Sequence, residues 1–308
     1  LDNMAEIREK VPDAPSVDDM VTAARESMPE MLKEYAMLSR HMYEILLGEM
    51  DDDTPGNIQP ALFDNDDDDE PLTPAEELLI DAFEAESQDE AADYARQALA
   101  LDPLSVQARL ILAQTAHSLP ERVKWLEQAV EAGEKFFGEE FFKDSLGHFW
   151  GLHETRPFMH ALADLAMSYK LEGKLDKAIS CYQRCLTLNP NDNQAVRYSL
   201  LSCYIQKNQL EKADQLMHEY DEPSAFMCYA RALVCFIREG DSPAARVLKK
   251  QALASNKYIP KLLAGRSKMP KLMPDYYSPG DKNEAVIYIE DYQAAWRQVI
   301  GAMGWLLK

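Results

Sequence analysis

The chain has 308 residues, 46% hydrophobic and 28% charged, a globular composition large enough for one elongated or two compact domains. Its formal charge is −21, so it is repelled as a whole by polyphosphate, which disfavours generic nucleic-acid binding. No apolar run reaches the roughly 18 to 20 residues of a spanning helix and no signal-like segment opens the sequence, so no membrane partner is expected.

Residues 1–48 read as an N-terminal helical segment. One helix opens at P-S-V-D-D and a second starts near Pro29, a residue suited to a first helical turn. On the second, Met28, Met31, Tyr35, Leu38, Met42 and Ile45 recur at alternating spacings of three and four, one apolar seam that needs a cover. The seam predicts either a self-capping helix or a contact with a partner or a second copy of the chain. Residues 49–72 read as an acidic linker. Glu49 to Glu90 holds 17 acidic residues and no Lys or Arg, and a stretch of this kind repels itself and has little to bury. A calcium loop is the sharper alternative, but the glycine at the sixth position and the closing Glu of that spacing are absent.

An internal repeat organises residues 73–256. In M-H-A-L-A-D-L-A-M-S-Y-K-L-E-G-K-L-D-K-A-I-S-C-Y-Q-R-C-L-T-L-N-P, Met159 to Pro190, Leu162, Leu165, Ala166 and Tyr169 mark the packing face of one helix. Ala178, Tyr182 and Cys185 mark that of the next, with Gly173 and Lys174 at the turn. Small residues at 166 and 178 suit the closest approach of two antiparallel helices. The pattern is that of a tetratricopeptide repeat. Equivalent positions recur at Leu78, Leu79, Ala82, Ala91, Ala95 and Ala98, at Leu200, Leu201, Tyr204 and Ala213, and at Tyr229, Leu233, Phe236, Ala245 and Ala252. A less regular pair spans Ser105 to Phe137, turning at S-L-P-E. Five helix pairs predict an all-α, right-handed solenoid whose groove is lined by the first helix of each pair. Residues 257–308 complete it as a Pro-rich wrap, a capping helix from about Lys282 to Val299, and the apolar tail G-A-M-G-W-L-L.

From about Leu78 onward the chain resembles an uncharacterised family of prokaryotic tetratricopeptide-repeat (TPR) proteins. The likeness rests on G-H-F-W-G-L-H-E-T-R-P-F-M (147–159), L-N-P-N-D-N-Q-A-V-R-Y (188–198), Y-I-P-K-L-L-A-G (258–265) and G-D-K-N-E-A-V-I-Y (280–288). It implies the fold and no reaction. Leu often stands in that family where this chain has His153, which speaks against a ligand role there.

Few residues suggest chemistry. His148, His153, Glu154 and His160 cluster in sequence, but His148 and His153 are five apart, about 140° on a helix, and H-E-x-x-H is absent. The expected role of this segment is an aromatic loop folded over the solenoid, with Thr155 capping the next helix and Pro157 in its first turn. Five cysteines without C-x-x-C argue against a disulfide framework and for a reducing, cytoplasmic setting. Cys181 and Cys185 lack a sequence-evident base and read as packing residues. No catalytic residue, cofactor or metal is therefore expected.

Helical phase assigns the groove to His160, Ala163, Met167 and Lys170, to Ala195, Tyr198, Ser202 and Ile205, and to Met227, Ala230, Val234 and Ile237. Chaperone-binding repeats clamp a C-terminal carboxylate with Lys and Asn where this chain has Ala163 and Met167, so an apolar helix or extended segment is the expected occupant. It could equally be internal, the N-terminal seam or the G-W-L-L tail. Ser242 to Pro274 carries Arg246, Lys249, Lys250, Lys257, Lys261, Arg266, Lys268 and Lys271 and no acid. That basic segment predicts a solvated face, a contact with the acidic linker, or a docking patch. The sequence thus points to a non-catalytic protein-interaction scaffold. The alternative is a regulatory module taking nucleic acid or an acidic partner on 242–274, and a hydrolase built on His148 to His160 is a distant third.

Overall fold

A computed structural model describes residues 71–308 apart from Leu272 and Asp275. The N-terminal seam of Met31, Tyr35, Leu38, Met42 and Ile45 and nearly all of the acidic linker lie outside the described residues. Those described form thirteen α-helices, two short 3₁₀ turns and no strand. In chain order the helices are α1 (Pro74–Glu84), α2 (Gln88–Leu101), α3 (Val106–Gln114), α4 (Leu119–Asp144), α5 (Arg156–Leu171) and α6 (Leu175–Leu188). They continue as α7 (Val196–Gln206), α8 (Leu210–Glu219), α9 (Ala225–Glu239) and α10 (Pro243–Ser255), and end as α11 (Ile259–Leu263), α12 (Lys282–Gln298) and α13 (Ala302–Leu306).

Local chemistry starts and stops the helices. Thr73 and Glu76 form a reciprocal capping box on α1, the Thr73 hydroxyl accepting from the Glu76 amide at 3.3 Å and the Glu76 carboxylate from the Thr73 amide at 2.7 Å. Ser87, Ser105, Ser118, Ser224, Ser242 and Asp281 each accept an amide of their helix's first turn, relieving donors that the helix itself cannot satisfy. In the third, fourth and fifth pairs the turn carries a residue with positive φ, at Gly173, Asn208 and Gly240. After α5, Gly173 (φ 73°) donates to the Lys170 carbonyl and Lys174 to that of Tyr169. After α7, Asn208 (φ 53°) and Gln209 repeat both bonds, the paired closure typical of helix C-termini.

The helices stack as consecutive antiparallel pairs, a TPR-like helical solenoid. The first helices α1, α3, α5, α7 and α9 touch in succession, and each also packs on its own partner. Alanine makes this spacing possible: Ala82, Ala91, Ala95, Ala98, Ala166, Ala178, Ala213, Ala245 and Ala252 are all buried where helices cross. Gly133 does the same between α4 and α5, where an added Cβ would lie 2.5 Å from the Phe158 ring. Helices α11 to α13 contribute Ile259, Tyr288, Trp296 and Trp305 to the main core, so the C-terminal segment is continuous with the repeats.

Three local expectations need correction. Helix α4 begins at Leu119, so L-P-E belongs to its first turn, and it runs to Asp144 through a kink at Gly138. The aromatic segment turns inward: Phe149 is fully buried, stacks on Phe142 at 4.8 Å and touches Phe158. Thr155 does not cap α5 with its side chain. Its hydroxyl instead donates to the carbonyls of Phe149 and Leu152, because its αR backbone places the oxygen beside carbonyls.

Candidate interaction surface

The chain itself covers part of the first-helix face to which phase assigns the groove. Tyr198, Ser202, Ile205, Met227, Ala230 and Val234 are buried, while Met167, Lys170 and Ile237 are half-buried. Helix α12 lies on the first-helix face, against α7 and α9. Tyr288, Tyr292 and Trp296, spaced four apart and therefore on one stripe, are fully buried there. Tyr288 and Tyr292 stack at 4.6 Å, Phe226 meets both rings, and Tyr229 meets Tyr288 and Trp296.

Polar contacts fix the register of α12. Asp291, 2% exposed, accepts from the Lys170 ammonium at 2.7 Å and from the Ser199 hydroxyl at 2.8 Å. Its backbone carbonyl accepts from Ser202 at 2.6 Å and from Lys170 at 3.2 Å. Further along, the Tyr292 hydroxyl donates to the Tyr198 carbonyl and the Gln298 amide to that of Ile205. A buried carboxylate with a cation and a hydroxyl on it, plus a carbonyl taken by a second hydroxyl, fixes both the position and the rotation of a helix. Among the described residues the segment on this face is α12 rather than the tail that the sequence suggested, while the N-terminal seam lies outside the described residues. Trp305 of the tail sits beside α9, stacked on Phe236 at 4.6 Å with its indole N–H donated to Asp241.

Phase reasoning found Lys170, Tyr198 and Ser202 but missed Ser199 and Asp291. An Asp in the middle of an otherwise apolar stripe was the available signal, since a carboxylate stays there only with a partner. The sequence also missed the joint between the third and fourth pairs. Asp192 (φ 50°) accepts the Val196 and Arg197 amides and pairs with Arg197 at 2.8 Å. Arg197 in turn reaches Glu222, which accepts from the Tyr198 hydroxyl.

Burial dominates the titration of His160, Cys181 and Cys203. His160 is 3% exposed, with its ring 5.5 Å from that of Trp150; burial, assisted by the nearby Arg156 charge, lowers its pKa to about 4. Among the described residues no three His, Cys, Asp or Glu side chains converge as metal ligands. All five cysteines are free, and burial pushes the Cys181 and Cys203 thiols up to about 11, away from a nucleophilic thiolate. No helix among the described residues is long and apolar enough to cross a membrane.

The basic segment divides in two. Arg246 pairs with Asp241 at 2.8 Å, and Lys249 turns inward over the Trp305 ring to donate to the Trp305 carbonyl. Lys250, Lys257, Lys261, Arg266, Lys268 and Lys271 are exposed, and none has an ion-pair partner among the described residues. They run from α10 through α11 into the following loop, at the end of the solenoid away from α1.

Residues 161–192, which comprise most of α5, its Gly173 turn and α6, match the tetratricopeptide repeat family. Among curated proteins none matches the chain.

Proposed function

We propose that this TPR-containing chain is a non-catalytic protein-interaction scaffold that holds an apolar helix, its own α12, on the first-helix face and presents the basic end to an acidic protein surface. Repeats of this kind generally mediate protein–protein interaction. What carries the reading is the seating of α12: with Asp291 bonded to Lys170 and Ser199 and three aromatic rings buried, the face where such repeats accept a segment is taken. The exposed cations of α10, α11 and the loop after them have no ion-pair partner among the described residues, and opposite charge is what they select. A protein is favoured over nucleic acid because the rest of the molecule is strongly acidic and repels polyphosphate.

The test is fluorescence anisotropy of the full chain with a labelled Glu-rich peptide and, separately, with a single-stranded DNA of equal charge, between about 50 and 300 mM salt. The peptide should bind, weaken with salt, and be lost in a Lys250→Gln/Lys257→Gln/Lys261→Gln variant. Absence of peptide binding, or tighter binding of the DNA, overturns the reading.

A further inference from the structure

We infer that the acidic surface accepted by the basic end is the first repeat of a second copy of this chain, so that copies associate head to tail. The inference rests on the scaffold reading above and specifies its partner.

The two ends of the solenoid are electrostatic opposites. Glu77, Asp81 and Glu84 on α1 and Glu86, Asp89, Glu90 and Asp93 on or beside α2 are all exposed, and no Lys or Arg occurs between Arg40 and Arg96. Arg96 pairs with Asp93 at 2.7 Å, and His117 approaches Asp89 at 3.8 Å. The other five exposed carboxylates have no ion pair among the described residues. The basic end has the complementary surplus, six exposed cations clustered within 22 positions and without an ion-pair partner among the described residues. Elsewhere many cations pair with neighbours, as in Arg184–Glu134, Lys207–Asp176, Arg231–Asp221 and Arg238–Asp214, and the exposed ones that do not, such as Lys124, Lys143 and Lys212, are scattered.

Geometry keeps the two ends of one molecule apart. The apolar cluster around α1 takes in α2, α3 and Trp125 and no residue of α10 to α13. From α1 to α9 the first helices make four successive contacts, a path of about 32 to 40 Å at 8–10 Å between packed axes. A second copy has no such limit. Because the two surfaces differ, the contact is heterologous and need not close on itself, so short chains of copies form and dissolve as salt rises.

The experiment is sedimentation velocity on the full chain over a wide concentration range at low and high salt, with folding of every variant checked by circular dichroism. Wild type should gain mass with concentration at low salt and be monomeric at high salt. The Lys250→Gln/Lys257→Gln/Lys261→Gln variant should stay monomeric alone, yet bind labelled wild type through its intact acidic end. Adding Glu77→Gln, Asp81→Asn and Glu84→Gln to it should weaken that binding about tenfold, the summed effect of several exposed charge pairs. Association that survives the lysine substitutions, or heterotypic binding indifferent to the α1 substitutions, overturns the inference. A wild type that is monomeric throughout also overturns it: if the Glu-rich peptide still binds, the scaffold reading survives, and if it does not, both fall.

Discussion

Asp291 is the residue on which the seating of α12 turns. Its carboxylate is buried with the Lys170 ammonium at 2.7 Å, so removing only the lysine strands a charge inside the protein. Lys170→Met should destabilise by about 3 to 5 kcal/mol in urea unfolding, and adding Asp291→Leu should recover a large part of the loss. Gly133 poses a steric problem: the 2.5 Å approach of a new Cβ to Phe158 is with a ring held among Phe142 and Phe149. Gly133→Ala should therefore cost about 1 to 3 kcal/mol by overpacking, outweighing the gain in helix propensity. His160 supplies a pH dependence. Burial lowers its pKa from 6.5 to about 4, so between those values the unfolded chain binds the proton and the folded one does not. Its contribution is present above pH 6.5 and is lost as pH falls toward 4, about 3 kcal/mol in all. Asp192, pushed up to about 6 chiefly by burial against the pull of Arg197, acts in the opposite sense, its contribution fading as pH rises from 4 to 6. Unfolding measured at pH 7 and pH 4.5 should show His160→Leu losing less stability on acidification than wild type. Equal losses would show that His160 is not the titrating group.

At the scale of helices, small side chains set the distances and caps set the ends. Ala178 is fully buried where α5 and α6 cross, so Ala178→Trp must separate the pair. The expected loss is on the order of 1 to 3 kcal/mol or more in thermal unfolding, while an unchanged midpoint would mean the repeat phase is misassigned. That phase was legible because small residues, Ala82 and Ala91 in the first pair and Ala166 and Ala178 in the third, recur at the helix crossings, and one crossing geometry explains them all. Helix α12 was legible as a capping helix from about Lys282 to Val299, close to its observed span. Its seat was not, because periodicity shows which face is buried and not what covers it. The sequence offered the seam and the tail as occupants and not α12, whose place on the face is marked by the Asp291–Lys170 pairing. Thr155 was misread for a related reason. A threonine before Arg-Pro looks like a cap in sequence, but capping depends on the backbone angle at that residue, and φ −90°, ψ −14° sends the hydroxyl to carbonyls instead.

For the whole molecule the question is what closes the solenoid, since a stack of repeats exposes apolar surface wherever it stops. At the N-terminal side the first pair closes with few large side chains: Leu79 and a row of alanines are buried, and the Thr73–Glu76 box secures the first turn. A chain beginning at Thr73 should accordingly fold with a near-wild-type midpoint. The opposite side depends on a distant segment. Asp291 meets Lys170 across 121 positions of sequence, and α12 brings Tyr288, Tyr292 and Trp296 onto a face already bearing Phe226 and Tyr229. Ending the chain at Gly280 would uncover those aromatics together, a patch of the kind that folded monomers avoid. Such a chain should bind the dye ANS and unfold in a broad transition, because the pairs would then be joined only to their neighbours. If it kept the wild-type midpoint and bound no dye, α12 would be an appendage rather than core, and the first-helix face would be free for a helix from another protein.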